Sequence, residues 1–394
     1  MSGPVREVFL AFLKLGLTAF GGPVAHLGYF REAFVHRRRW INEAGYADLV
    51  ALCQFLPGPA SSQVGFALGT IRAGGLAGGL AAFAGFTLPS ALILIAVAYG
   101  AGMTAGPVAS GLVHGLKLVA VAVVAQAVWG MARTLAPDRV RAGIALGALW
   151  LVILAPTALG QVGAILFGAG AGLVLCRGAA GVSVGRLTVP ISRRAGTVAL
   201  VAFAVLLGGL PVLAATAHWH GFALVDAFYR AGALVFGGGH VVLPLLRAGL
   251  VDPGWLSADA FLAGYGAAQA VPGPLFSVAA YLGVVLGPTP HGLLGAGLAL
   301  AAMFLPGLLL VYGALPFWDG LRRRPLAQAA LRGGNAAVVG LLGAALYDPV
   351  WTSAIGDARD LAMAATAFVL LTAGGVPPWI VVGLTALGGL ALTL

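Results

Sequence analysis

The chain is written twice. Phe12, Lys14, Gly16, Phe20, Gly21 and Gly22 recur 216 positions later as Phe228, Arg230, Gly232, Phe236, Gly237 and Gly238. At an interval of 215, Trp40, Gln54, Pro57, Gly58, Pro59 and Ser62 return as Trp255, Gln269, Pro272, Gly273, Pro274 and Ser277. Leu88-Pro89 reappears as Leu305-Pro306, and Gly115 with Lys117 as Gly333 with Asn335. An interval that drifts by a residue or two, and only between segments, is what loop insertions leave behind. Chance coincidence of abundant glycines does not account for the matched Trp, Gln and Phe. A repeat of this length decides the architecture before any local pattern does. Residues 1–180 and 222–394 read as two copies of one unit. Residues 181–221 link them and carry one extra apolar run, Thr197–Ala215.

Both copies need a bilayer. Charged residues make up 9% of the chain and apolar ones 60%, whereas a soluble domain carries about 25% charged residues. So few charges cannot cover a water-exposed surface, which excludes a soluble enzyme, a disordered regulator and a nucleic-acid-binding domain. The excess of 22 Lys and Arg over 12 Asp and Glu reads as loops facing anionic membrane lipid. Cys53 and Cys176 sit in apolar runs, so neither a disulfide framework nor a thiolate metal site is expected. Glu7, Lys14 and a Gly-Gly-Pro break interrupt the first stretch, which argues against a removable signal peptide. The expected class is an all-α polytopic membrane protein.

The basic residues orient the two copies. Arg31, Arg37, Arg38 and Arg39 precede Trp40, while the matching stretch of the second copy offers only Arg247, with Asp252 nearby. Conversely, Arg322, Arg323 and Arg324 follow the long apolar run of the second copy, where the first has the uncharged Gly100–Ser110. Cytoplasmic loops concentrate Lys and Arg, so equivalent loops lie on opposite sides and the repeat has inverted topology. A path with a cytoplasmic N-terminus satisfies every basic cluster. Hairpins turn back at Gly21-Gly22-Pro23 and Pro57-Gly58-Pro59, four crossings follow in each copy, and the extra run supplies a ninth. Several runs fall short of the ~20 residues of a simple span, so re-entrant hairpins and crossings compete for some of them.

Inverted repeats with Gly/Pro-broken segments at matching positions point to a transporter binding site. Unwound backbone cannot face lipid and must line an enclosed or wet cavity. Helices that start after such breaks aim free N–H groups and a positive dipole end at that cavity, which suits an anion. The candidate positions are Gly21, Gly22, Gly237 and Gly238 in one pair of breaks. Pro57, Gly58, Pro59, Pro272, Gly273 and Pro274 form the other. Lys14 and Arg230 stand seven residues before the first glycine of their breaks; they either attract a divalent oxyanion or snorkel to the headgroups. Gln54, Gln269, Ser61, Ser62 and Ser277 flank the prolines, where they donate to a ligand or satisfy carbonyls freed by proline. His26 and His240 each follow a break and are candidates for proton coupling, against the commoner role of a packed, singly bonded histidine. Lys117, mirrored by Asn335, lies in an otherwise apolar run. No metal motif, nucleotide loop or nucleophile elbow is visible, so no cofactor and no enzyme activity are expected, and an ion gradient would supply the energy.

At these residues the sequence resembles the chromate transporter family in its long-chain, two-domain form. The resemblance rests on three stretches: Phe20–Arg31, Gln54-Phe55-Leu56-Pro57-Gly58-Pro59 and Phe236–Pro244. It covers both copies, and the first stretch is the most specific. What it implies is export of chromate, a tetrahedral dianion that mimics sulfate, across the inner membrane, with chromate resistance as the outcome. The expected function is therefore a secondary transporter that exports chromate, with sulfate as competitor or alternative cargo and a homodimer as one assembly. The alternatives are a transporter of another small oxyanion such as sulfate, or an anion channel.

Overall fold

The structure, a computed structural model, describes residues 3–19, 22–103, 107–156, 158–177, 189–217, 219–235, 242–288, 290–321 and 324–393. Among these residues there are helices and no strands. The first copy opens with α1 (Gly3–Thr18) and α2 (Gly22–Arg31), and the chain runs on through a π-helical turn, Glu32–Arg37. Helices α3 (Glu43–Phe55) and α4 (Ala60–Ala73) flank the first Pro-Gly-Pro. Then come α5 (Leu76–Met103), α6 (Pro107–Leu135), α7 (Arg139–Leu154) and α8 (Ala158–Leu175). The linker supplies α9 (Arg193–Thr216).

The second copy repeats that order. It runs α10 (Gly221–Leu234), α11 (Val242–Leu246), α12 (Ala258–Ala270), α13 (Val278–Val285) and α14 (Gly292–Ala314). After a short α15 (Trp318–Leu321) come α16 (Pro325–Ala345), a one-turn α17 (Thr352–Ala354), α18 (Ala358–Thr372) and α19 (Pro378–Thr393). Helix starts are fixed by matching caps, because a side-chain oxygen must take up the free amides of a first turn. Asn42 accepts from Gly45 N–H before α3, and Ser257 accepts from Ala260 N–H before α12. Asp138 and Asp357 do the same for α7 and α18.

Among the described residues, five helices, in α5, α6, α9, α14 and α16, are long and apolar enough to cross a membrane. At 1.5 Å per residue, the 14 residues of α4 and the eight of α13 reach only about 21 and 12 Å. Against a ~30 Å hydrocarbon core they are half-helices that begin in the interior. Proline interrupts both α5 and α14, at Pro89 and Pro306.

The core packs by correspondence. Helices α1 and α4 lie on α5; α10 and α13 lie on α14. Close approach depends on small residues, as expected where apolar burial gives no drive between helices in lipid. A Cβ on Gly16 would sit 2.6 Å from the Gly85 carbonyl oxygen of α5, and one on Gly232 would sit 3.0 Å from Pro306 Cγ of α14. The last hairpins are exchanged between copies. The α7–α8 pair packs on α16 through Ile144, Ala148, Ala336, Ala337 and Leu341. The α18–α19 pair packs on α6 through Val119, Val123, Ala367 and Val381. Each copy thus finishes its fold on the other. Helix α9 breaks the correspondence, because it covers α10 and α14 and has no partner in the first copy. In the first copy Leu10 and Leu17 of α1 are exposed, where the matching Asp226 and Ala233 of α10 are buried.

Candidate functional site

Two corresponding backbone bonds tie the Pro-Gly-Pro turns to the ends of α1 and α10 in the interior. Gly58 N–H donates to the Val235 carbonyl at 2.7 Å, and Gly273 N–H donates to the Ala19 carbonyl at 2.9 Å. Ala19 and Val235 are the residues that follow α1 and α10, so the turn of each copy is pinned to the helix end of the other. The local sequence explains why. Proline carries no N–H, so the glycine amide is the one donor that a Pro-Gly-Pro triplet possesses, and here it is spent on the crossing. The turns need glycine: Gly58 has φ +125° and Gly273 φ +99°, a region that side chains with a Cβ avoid.

Polar side chains gather around the first turn. Gln63, fully buried, donates its amide NH₂ to the carbonyls of Pro57 at 2.9 Å and Gly307 at 3.1 Å, which staples the turn to α14. Two carbonyl acceptors fix the amide orientation, and the Gln63 Oε1 that remains has no partner. His26 is 1% exposed; its Nε2 lies 3.2 Å from the Ala19 carbonyl and its Nδ1 3.4 Å from Ser61 Oγ. A carbonyl can only accept, so Nε2 carries the hydrogen and Nδ1 is left to accept from the serine. The ring stands edge-on to Phe86, with centroids 5.1 Å apart. At the second turn, Ser277 Oγ is 2.7 Å from Ser90 Oγ, and Ser90 donates to the Thr87 carbonyl at 2.9 Å.

Helix starts supply the remaining donors. Pro59 precedes α4 without a capping side chain, so the amides of Ala60, Ser61 and Ser62 begin the helix uncapped. Pro274 likewise gives no cap to the Leu275–Ser277 turn ahead of α13. Positive dipole ends with free N–H groups therefore stand beside both turns. Among the described residues, no group of three or more His, Cys, Asp or Glu side chains is placed to hold a metal ion.

The expected residues divide by location. Gly58, Pro59, Ser61, Ser62, Pro272, Gly273, Pro274 and Ser277 are buried at or beside the turns, Pro57 and Gln269 are half-buried, and Gln54 is exposed. Gly22 opens α2 with φ +77°. Gly21, Gly237, Gly238 and His240 lie outside the described residues, as does Phe236. Lys14 projects from the exposed stripe of α1 beside Leu10 and Leu17. Arg230 is 45% exposed and pairs with the buried Asp226 one turn earlier, at 2.5 Å. Lys117 reaches Asp259, at the start of α12, at 2.6 Å. Asn335 is fully within α16, with its Oδ1 buried and unpartnered.

One end of the molecule gathers the basic cluster of the first copy. Glu7 accepts from Arg72 at 2.9 Å and from Trp40 Nε1 at 3.2 Å, and the guanidiniums of Arg38 and Arg72 lie 5.6 and 5.4 Å from the Trp40 ring centroid. Trp40 stacks in turn on Phe34, at 4.5 Å. In the same region the bond from Arg37 holds the Glu32 carboxyl below its ordinary range.

Gln63, Thr87 and Ser90 were not among the sequence candidates. Gln63 has Val278 at the matching position, so a search for matched pairs passes over it. Thr87 and Ser90 bracket Pro89 inside the long apolar run, and polar residues beside a proline there were a usable signal.

The sequence profile described as "Chromate transporter" matches residues 6–218 and again 222–390. The chain is 30% identical to the chromate transport protein of Pseudomonas aeruginosa, over 87% of this chain and 80% of that one. It is 29% identical to the probable chromate transport protein of Synechococcus elongatus, over 87% and 84%. It is 28% identical to the chromate transport protein of Cupriavidus metallidurans, over 99% and 94%. No solved structure matches the chain significantly.

Proposed function

The chain belongs to the chromate transporter family and is a multi-pass membrane transporter rather than an enzyme; from that premise we propose that it is a secondary transporter exporting chromate across the inner membrane. The observation that carries the reading is the pair of crossings, Gly58 to Val235 and Gly273 to Ala19. They bring two broken segments and two uncapped helix starts to one buried centre. A tetrahedral oxyanion needs several donors converging from different directions, and dipole ends supply them without a buried countercharge. Lys14 and Arg230 precede the crossing carbonyls by five residues each, about 7.5 Å along a helix; Lys14 supplies positive potential rather than a contact, while the charge of Arg230 is offset by Asp226 in this conformation.

The same reading takes the two copies as inverted repeats, residues 1–180 and 222–394, with the N-terminus cytoplasmic and access alternated by rocking one copy against the other. Sulfate, of the same shape and charge, competes. His26 and His240 are the candidates for proton coupling; at His26 a proton taken at Nδ1 would reverse its bond with Ser61 from accepted to donated, beside the carbonyl that Gly273 uses.

Chromate uptake into everted membrane vesicles tests this, with and without excess sulfate and with an imposed proton gradient. Everted vesicles turn efflux into uptake. Expression-dependent accumulation that sulfate inhibits supports export through a site that reads the dianion. No accumulation, in vesicles shown to contain the protein, refutes chromate export and turns attention to other oxyanions. A flux with no accelerated exchange would instead mark an anion channel.

A further inference from the structure

The matching serines at the two helix starts are chemically unequal, although other buried unpaired atoms stand on both sides, Gln63 Oε1 at the first turn and Thr87 Oγ1 and Gln269 Nε2 about the second. In the second half the Ser277 hydroxyl is consumed. Ser90 spends its own hydrogen on the Thr87 carbonyl, so at 2.7 Å it is Ser277 that donates to Ser90 Oγ. The Ser277 amide is taken as well, by the Pro274 carbonyl. In the first half the matching hydroxyl, Ser62 Oγ, is equally buried, with the residue 2% exposed, and has no partner. The cause is one residue across the interface. Where the second turn faces Ser90, next to Pro89, the first faces Gly307, next to Pro306. Glycine offers no side-chain acceptor, and the Gly307 carbonyl already accepts from Gln63.

Buried hydroxyls are rarely left unpaired, because the lost hydration is not returned. Ser62 sits in the first turn of α4, where the amides of Ala60, Ser61 and Ser62 are uncapped and the helix dipole is positive. A hydroxyl donor and free amides at a half-helix start suit an oxyanion.

We propose that the oxyanion is received in the first half of the centre, by the Ser62 hydroxyl and the amides that open α4, while the Ser277–Ser90 bond bolts the second half shut in this conformation. This rests on the transport reading above and narrows it. Ser62 is the specificity-bearing contact; Ser277 and Ser90 act on turnover, because their bond must break before the second half can take the anion. Gln63 is a positioning residue that holds the first turn against α14.

The test compares wild type, Ser62→Ala, Ser62→Thr and Ser277→Ala in proteoliposomes. It reads KM and Vmax for chromate, and the thermal midpoint in detergent with and without added chromate. Expected for Ser62→Ala is a KM raised about tenfold, near the ~1.4 kcal/mol that a tenfold change represents, with Vmax within about twofold. Its midpoint without chromate should not fall, since an unpaired hydroxyl has been removed, and the chromate-induced rise should shrink. Ser62→Thr, which keeps the hydroxyl, should fall between. Ser277→Ala should lower the midpoint and alter Vmax with KM within about twofold. An unchanged KM in Ser62→Ala, or an equal rise in Ser277→Ala, overturns the one-sided site and leaves chromate transport standing. A lowered apo midpoint in Ser62→Ala would show a structural hydroxyl and overturn it too. Failure of wild type to transport chromate overturns the transport reading and this inference with it.

Discussion

Replacing Gly58 by alanine tests the central crossing, and the structure sets the size of the effect. The residue holds φ +125°, which costs a residue with a Cβ about 1–3 kcal/mol. Its new Cβ would lie 2.9 Å from the Gly307 Cα and 2.8 Å from Gln63 Nε2. The amide could swing aside, but it would forfeit its bonds to Pro57 and Gly307; the Gly307 backbone cannot yield without moving α14. Overpacking of that kind costs about 1–3 kcal/mol, so the sum is at least about 2 kcal/mol, roughly a thirtyfold shift in the folded-to-unfolded ratio. In a chain of this length the thermal midpoint in detergent should fall by at least about 2 °C. Transport should fall at least tenfold, because the Gly58 amide no longer reaches Val235. Gly208→Ala is the control, since a Cβ there meets nothing within 4 Å; helix α9 should keep or slightly raise its midpoint. A Gly58→Ala protein with wild-type midpoint and transport would refute the crossing as a structural requirement. Gln63→Ala in the same background separates the two contributions, because it relieves the side-chain clash and leaves the backbone one.

The other predictions concern charges. Arg230→Gln strands the Asp226 carboxylate, and should cost about 1–3 kcal/mol, less than the ~3–5 of a fully buried pair because Arg230 is half exposed. Adding Asp226→Asn should recover most of the lost midpoint, and no recovery would mean that the pair is not what the arginine supports. Lys14→Gln should leave the midpoint unchanged, since its side chain is exposed. It should raise the KM for chromate by about tenfold or more, since one charge ~10 Å from a dianion at an effective dielectric of ~20 is worth about 3 kcal/mol before salt screening reduces it; an unaltered KM would remove Lys14 from the field of the centre. Asp138, in the α6–α7 loop, has its carboxyl held below the usual range, first by the Arg141 amide and then by the Arg141 guanidinium. A lowered carboxyl stabilises above its unfolded value near pH 4 and ceases to as pH falls through its folded value. Asp138→Ala should therefore lower the midpoint at pH 7 and converge with wild type under strong acid; a gap that persists in acid would contradict the cap.

What could be read before any coordinates is what two copies share. Pro57-Gly58-Pro59 and Pro272-Gly273-Pro274 stand out because both are kept, and their crossings are matched in turn. Matching is a poor guide to the differences, however. It favours Gln54, which is paired with Gln269 yet lies exposed, and passes over Gln63, whose counterpart is Val278. It groups Lys14 with Arg230, although Arg230 has Asp226 one turn before it and Lys14 has Leu10 in the same place. The exchanged hairpins left no local trace either: α7 and α8 have the apolar face any hairpin would need, and nothing in their residues says that α16 will cover it.

The unlike residues are where the directional part of the chemistry lies. Two identical halves around one centre would offer an anion the same donors from either side, and a conformation that admitted it would have no reason to favour one half. Substituting Ser90 by Gly307 across the repeat removes that equality with a single hydroxyl. The second half satisfies its own serine and loses a donor. The first keeps its serine hydroxyl buried and unpaired, which is the basis of the proposed one-sided site. Helix α9 adds a second inequality, since it packs on α10 and α14 and comes from the linker rather than from either copy. In the proposed rocking of one copy against the other, around a site held by the first, these two inequalities are enough to give the two ends of the cycle different affinities.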